Sequence, residues 1–166
     1  MKKLFLFFLI LSMMLAGCSM SEADVKSKAP LKVQSELAKE GMEPNEKIGS
    51  YQLFLPFGMK VKENTKNNIF LKKGSQTYLL FINKNEGLDS QVLYQQSTMQ
   101  DDNVIVNETF EKEGKFGYLL VTKVQEKEYE VIVGIGGIKM TTVTTLNDVV
   151  EQAELMMRVV DSIQWS

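Results

Sequence analysis

The sequence predicts an α+β fold in which an antiparallel β-sheet packs against a C-terminal helix. Between residues 51 and 145, short apolar segments rich in alternating and β-branched residues are separated by tight turn signals. Links this short join antiparallel strands, because parallel strands need a longer crossover. After residue 145, apolar residues recur at spacings of three and four, which is typical of a helix with one buried face.

Composition excludes several kinds of site. The chain has 166 residues, enough for one domain with its own core, and it contains one cysteine and no histidine. An intramolecular disulfide, a Ser-His-Asp or Cys-His centre and a His-ligated zinc are therefore impossible within it. A formal net charge of −2 argues against nucleic acid as a partner. We predict no cofactor and no metal.

The N-terminus has the pattern of an export signal. Met1–Lys3 is cationic, and the apolar run that follows ends near Ala16, short of the roughly 20 residues of a spanning helix. Leu15, Ala16, Gly17 and Cys18 together resemble the lipobox of bacterial lipoproteins. That resemblance implies cleavage before Cys18 and attachment of diacylglyceryl to its sulfur, which would hold the protein on the outer face of the cell membrane. The alternative is a plain secretory signal, with the cysteine there by chance.

The next segment, residues 18–49, is polar and predicts a tether between the lipidated N-terminus and the domain. Within it, Pro30 could be the first residue of a short helix ending at Gly41. Two interpretations stay open: a solvated spacer, or a helix that docks on the domain or on a partner. We place the signal peptide at 1–17, the tether at 18–49 and a single α+β domain at 50–166.

The first half of the domain predicts strands near residues 50–55, 60–62 and 69–71, and a strong central strand at 76–83. Pro56 ends the first of these strands. Residues 89–99 are ambiguous and are interpreted as a short helix capped by Asp89 or Ser90. Its buried side would consist of Val92, Leu93, Gln96 and Met99.

The second half predicts a four-stranded meander, with strands near residues 104–110, 116–124, 129–133 and 138–145. Gly136-Gly137 fits a two-residue hairpin turn. Thr145–Asp148 has the pattern of a capping box in front of the final helix. The apolar stripe of that helix comprises Val149, Ala153, Met156, Val160 and Ile163, widened by Leu146, Val150 and Met157.

The order of these elements resembles the PsbP/Mog1-like family of small α+β domains. The resemblance lies in Tyr51–Pro56 at the start, the hairpins between, and Met157–Ile163 at the end, and it spans residues 50–166. It implies a non-catalytic accessory or binding domain, and it implies no active-site residues.

Other candidate sites each have a structural alternative. Gly134–Gly137 lacks the G-x-G-x-x-G spacing of a dinucleotide loop and fits hairpin glycines better. Asp101–Asn103 could join a calcium site or could form a turn. Methionine thioethers could bind Cu(I), although core packing explains the methionines as well. Seven of them follow the signal peptide: Met20, Met42, Met59, Met99, Met140, Met156 and Met157.

Carboxylates on the predicted strands and turns could form a catalytic pair, or could belong to a solvated sheet surface. They are Glu108, Glu111, Glu113 and Glu130. Trp165 could pack against the helix end, or could contact a partner if its indole is exposed.

Together these patterns favour a membrane-anchored bacterial lipoprotein with a non-catalytic binding or accessory domain and an envelope protein as partner. The alternatives are a carboxylate-dependent cell-wall hydrolase, which would need a deep pocket with converging acids, and a carrier of small apolar ligands, which would need a large apolar cavity.

Overall fold

The computed structural model describes residues 19–99 and 103–165. In those ranges the chain forms three helices and ten strands. The helices are α1 (Glu22–Ala38), α2 (Val92–Thr98) and α3 (Val149–Asp161). The strands are β1 (Glu46–Ile48), β2 (Tyr51–Leu53), β3 (Met59–Asn64), β4 (Asn68–Lys73), β5 (Gln76–Ile82), β6 (Val104–Lys112), β7 (Lys115–Gln125), β8 (Glu128–Ile135), β9 (Ile138–Thr144) and β10 (Gln164–Trp165).

Seven strands form one antiparallel sheet in the order β3-β4-β5-β9-β8-β7-β6. The sheet consists of two meanders, β3–β5 and β6–β9, joined where Leu79 of β5 lies opposite Thr141 of β9. The predicted fold class, an antiparallel sheet packed against a C-terminal helix, is confirmed. The join places the last strand of the second meander at the centre of the sheet.

A second, three-stranded sheet has the order β1-β2-β10. Its pairing brings Trp165 opposite Tyr51, so the end of the described chain lies beside the start of the predicted domain. Strand β1 falls within the segment predicted as a tether.

Helix α3 buries its predicted stripe. Val149, Ala153 and Met156 are fully buried against the sheet, and Val160 and Ile163 are nearly so. The predicted capping box is wrong, because the helix begins at Val149 and Asp148 makes no side-chain cap. Thr145 instead donates its hydroxyl to the Asp148 carboxylate, at 2.7 Å, inside a turn that precedes the helix.

Helix α1 shows that the spacer interpretation of residues 19–49 is wrong and that the docking alternative is correct. The helix starts at Glu22, earlier than predicted, with a capping box between Ser21 and Asp24. Pro30 lies inside the helix and removes one backbone hydrogen bond from it. Packing compensates, because one residue per turn is buried in the same core as the sheet: Val25, Ala29, Val33 and Leu37.

Helices α1 and α3 run parallel along one face of the sheet. At one end, the backbone N–H of Met20 donates to Oδ1 of Asn147 at 3.0 Å. At the other end, Glu36 of α1 meets Arg158 of α3 at 2.7 Å. Both helices therefore have their N-termini at the same end of the molecule.

Helix α2 covers part of the opposite sheet face over a smaller core. The predicted helix is confirmed, but its predicted buried side is wrong: Leu93 is buried, whereas Val92 is 39% exposed and Met99 is 76% exposed. Because the helix is short, its apolar contacts with the sheet are made mainly by Leu93 and Tyr94. The sheet contributes Phe116, Tyr118, Leu120 and Ile132 to this cluster.

Replacing Val33 by Asp should destabilise the domain by about 3 kcal/mol, because a charge would enter the core between α1 and the sheet. Gln34→Asp is the matched control, since Gln34 is exposed on the next position of the same helix. Urea unfolding of both variants measures the difference. Equal midpoints would contradict the docking of α1.

Candidate functional site

A phenylalanine projects into solvent from the turn between β2 and β3. Phe57 is 100% exposed. The backbone N–H of Met59 donates to the Pro56 carbonyl at 2.9 Å, and Gly58 has φ +82°. These are the features of a type II turn that runs from Pro56 to Met59, with Phe57 at its second position and glycine at its third. Phe57 lies directly between proline and glycine in this turn, with its ring directed away from the core.

The chain on both sides of this turn is held firmly. Leu55 and Met59 are buried in the main core. The side-chain amide of Asn45 donates to the Leu55 carbonyl at 3.0 Å and accepts from its N–H at 2.8 Å. The N–H of Phe54 donates to Oγ of Ser162, at the end of α3, at 2.8 Å. Phe57 is thus an apolar side chain presented on a fixed backbone.

An open depression of about 450 Å³ lies beside the ring, between the turn and α3. We call its lining the Phe57 surface: Pro56, Phe57, Lys73, Glu151, Glu154, Leu155 and Arg158. It combines an exposed aromatic ring, a largely buried leucine and charges of both signs. Phenylalanine and arginine are among the residues enriched at the cores of protein interfaces.

Arg158, the only arginine in the chain, is fixed by a buried carboxylate. Its Nε donates to Oε1 of Glu36 at 2.7 Å and its second nitrogen to Oε2 at 3.3 Å, while Lys39 donates to Oε2 at 2.5 Å. The hydrogen bond from Arg158 lowers the pKa of Glu36, although burial opposes the shift, and Lys39 adds to the lowering. The same bond raises the pKa of Arg158.

Three further contacts involve α3 beneath this surface. Glu154 pairs with Lys32 of α1 at 3.5 Å and with Arg158 at 3.5 Å. Tyr78 of β5 donates its hydroxyl to Gln152 at 2.6 Å. Burial, with a smaller contribution from the charge of Glu151, raises the pKa of Tyr78 to about 12, so this hydroxyl stays protonated and donating.

Several predicted site residues lie outside the described parts of the chain. These are Leu15, Ala16, Gly17 and Cys18 of the predicted lipobox, and Asp101 and Asp102 of the acidic loop. Across residues 19–99 and 103–165, no three His, Cys, Asp or Glu side chains are grouped so that they could hold a metal ion. Within the same ranges, none of the helices has the length and apolar character needed to cross a membrane.

The structure brings together two of the four candidate carboxylates. Glu111 and Glu113 line a second depression, of about 320 Å³, together with Asp89. Glu108 lies on the other face of β6 from Glu111, because strand side chains alternate. Glu130 lies two strands away, paired with Thr122.

The glycine-rich segment 134–137 is a hairpin, as predicted. Gly136 has φ +53°. A Cβ on Gly134 would collide with the ring of Tyr118, and one on Gly137 would crowd the backbone of Asn83 and Glu86. Gly134 therefore makes room for Tyr118 of β7, whereas Gly136 and Gly137 allow the segment that follows β5 to pack closely on the hairpin.

The methionines divide between the core and the surface. Met59, Met140, Met156 and Met157 are buried, as the core interpretation predicts, whereas Met42 and Met99 are exposed. Trp165 is 45% exposed and makes an edge contact with Tyr51, with ring centroids 6.3 Å apart. Both predicted roles of this indole, packing and exposure, are therefore partly met.

Sequence reasoning did not identify Phe57 or the Glu36–Arg158 pair. The Pro-Phe-Gly order around Phe57 is a turn signal, and an aromatic residue at the tip of a turn was a usable sign of exposure. The ion pair joins residues 122 positions apart, so no local pattern indicates it.

Comparisons with known proteins give only distant structural similarities. No protein-family model matches the chain, and no curated protein matches it. The fold is similar to the solution structure of cyanobacterial PsbP (CyanoP) from Synechocystis sp. PCC 6803, with a TM-score of 0.45 and 11% identity over 70% of this chain and 87% of that one. It is also similar to a crystal structure from Bacteroides thetaiotaomicron VPI-5482, with a TM-score of 0.39 and 12% identity over 77% of this chain. The match spans about half, 49%, of the Bacteroides chain.

Replacing Glu36 by Gln should lower the free energy of unfolding at pH 7 by about 2 kcal/mol, because Arg158 and Lys39 lose their buried partner. The pKa of Glu36 is lowered in the folded state from its ordinary 4.5. Its contribution is therefore complete above about pH 4.5 and is lost as the pH falls below that value.

Urea unfolding of the wild type and Glu36→Gln between pH 3 and pH 7 measures this dependence. Glu40→Gln serves as the control, since Glu40 is exposed just beyond α1. A difference between wild type and Glu36→Gln that does not shrink on acidification would contradict this electrostatic role of Glu36.

Proposed function

We propose that this protein is a bacterial lipoprotein, anchored through Cys18 at the extracytoplasmic face of the cell membrane, whose domain binds an envelope protein without catalysing a reaction. The observation that carries the binding function is Phe57, a fully exposed ring on a rigid turn beside an open depression. A partner that covered this ring would remove apolar surface from water, which favours association.

The anchor is supported by the sequence alone. A cationic start, a short apolar run and the order Leu15-Ala16-Gly17-Cys18 match the requirements for lipoprotein processing. The chain has no other cysteine, so no disulfide competes for this thiol within the molecule. Diacylglyceryl attachment provides two acyl chains, which is what lasting membrane attachment requires.

A protein partner fits the Phe57 surface better than a small ligand does. Small-ligand sites enclose most of their ligand, whereas this depression is open and one wall is a protruding side chain. The positive and negative groups nearly balance: Lys73 and Arg158 face Glu151 and Glu154. The partner should therefore present an apolar pocket for the ring of Phe57, surrounded by polar groups of both signs.

Cys18→Ala should abolish incorporation of radiolabelled fatty acid, because the acyl acceptor is the cysteine sulfur. The variant should also accumulate as an uncleaved precursor. Ser19→Ala is the control and should label normally. Full labelling of the Cys18→Ala chain would overturn the anchor.

Phe57→Ala should remove the partner interaction without changing stability, since the ring makes no core contact and surface substitutions shift stability by about 0.5 kcal/mol or less. A photo-crosslinking residue at Lys73, on the same surface, should give one dominant adduct in intact membranes. That adduct should be absent when Phe57 is alanine.

Leu31→Ala is the matched control, because Leu31 is also apolar and exposed but lies on α1. It should leave the adduct intact. An adduct that survives Phe57→Ala, or that forms equally from a crosslinker at position 31, would contradict recognition through the Phe57 surface.

A further inference from the structure

We propose that the anchored domain stands directly on the bilayer in one orientation, with the N-terminal ends of α1 and α3 and the β7–β8 turn facing the lipid. This inference rests on the proposed lipidation of Cys18. It adds to that proposal the surface of the domain that faces the membrane, and it limits the distance from the bilayer at which a partner can bind.

The chain between the proposed anchor and the folded domain is very short. Met20 already belongs to the domain: its N–H is bonded to Asn147 at 3.0 Å and its side chain packs against the main core. Ser21 then caps α1. Cys18 precedes Met20 by two residues, and two Cα–Cα steps span at most about 7.6 Å. A lipidated Cys18 would leave almost no slack between the bilayer and the domain.

Three elements of the domain lie at the end of the molecule nearest Cys18. Glu22, in the first turn of α1, accepts a hydrogen bond from Tyr129 at 3.0 Å and from Lys123 at 3.3 Å. Tyr129 and Lys123 lie directly opposite each other beside the turn of the β7–β8 hairpin. Asn147 adds the turn before α3. These elements surround the point at which the chain would enter the lipid.

The C-terminal ends of α1 and α3 lie at the opposite end of the molecule. Lys112, at the end of β6, donates to the carbonyl of Lys39 just after α1, at 2.8 Å. Lys115, at the start of β7, pairs with Asp161 at the end of α3, at 2.5 Å. Helix α1 has 17 residues and is about 25 Å long, so this end would lie roughly 25 Å farther from the bilayer.

Electrostatic attraction to lipid headgroups does not explain the proposed contact between this end of the domain and the membrane. Its exposed turn residues include Glu126, Glu128 and Asp148 against Lys127. An excess of acids is not drawn to anionic headgroups. The orientation therefore comes from the short link and the docking of Met20, and it should be the same on neutral and on anionic vesicles.

One consequence concerns the partner. The Phe57 surface includes Glu151 and Arg158, which lie within the first and third turns of α3. At 1.5 Å per residue this places the surface roughly 5–15 Å from the near end of the helix. Its partner should therefore be a membrane protein that presents a complementary pocket close to the lipid.

Energy transfer from the domain to lipids tests the orientation. Lys127→Cys, in the β7–β8 turn, and Glu40→Cys, beyond the far end of α1, are labelled with a donor dye. The lipidated full chain is purified and placed in phosphatidylcholine vesicles that carry an acceptor-labelled lipid. Because the sulfur of Cys18 is in a thioether, only the new thiol reacts. From a height difference of roughly 25 Å, the length of α1, transfer from position 127 should exceed that from position 40 by about twofold or more.

The matched control inserts a flexible Gly/Ser segment of about 20 residues between Cys18 and Ser19, which should remove the difference between the two positions. Equal transfer at the native spacing, or stronger transfer from position 40, would overturn the orientation. Fatty-acid labelling of the same preparations is measured in parallel. An unlabelled wild-type chain would overturn the proposed anchor, whereas a labelled chain with equal transfer would overturn the orientation alone.

Discussion

Burial of one face of a seven-stranded sheet beneath two parallel helices is the interaction on which the rest of this structure depends. Helix α3 has 13 residues and packs mainly on β8 and β9. Seven strands at about 4.8 Å spacing make a sheet roughly 30 Å wide, which is more than one helix of about 10 Å diameter can cover. Helix α1 closes the remaining side over β6 and β7. The residues before the predicted domain are therefore part of its core.

The two helices share a buried polar contact near the C-terminal end of α1. Glu36 is buried there, and its cost of desolvation is offset by three hydrogen bonds from Arg158 and Lys39. Because the guanidinium group is held by two bonds in one plane, its position on the outer surface is fixed as well. The contact that joins the helices thus also fixes the position of the Arg158 guanidinium group on the Phe57 surface.

The sequence predicted the sheet, its hairpins and α3 because those elements carry local patterns. Alternation marks the strands, glycines mark the turn at 136–137, and spacings of three and four mark the buried side of α3. The start of helix α1 and its packing on the sheet were not predicted, because its polar composition and Pro30 favoured a tether. The signal for the helix is the recurrence of Val25, Ala29, Val33 and Leu37 at every fourth residue. A stripe of one apolar residue per turn is buried only when a second apolar surface packs against it.

The candidate site was less accessible from sequence for a physical reason. Exposure of Phe57 depends on what packs around its turn, and that is decided by Asn45 and Ser162, which come from distant parts of the chain. The partnership of Glu36 and Arg158 likewise depends on the parallel alignment of two helices. Residue type indicated the turn at Phe57 but not the packing around it, and it did not indicate the ion pair.

The bond between Met20 and Asn147 joins positions 127 residues apart, and it closes the core between the first and the last helices of the described chain. Until residues 149–161 exist, α1 has no partner helix, and an isolated helix of this length containing a proline is marginal in water. Contacts of such high sequence separation also slow folding, since a long loop must close first. A chain emerging N-terminus first would therefore complete this part of the core only after nearly all of it had been made.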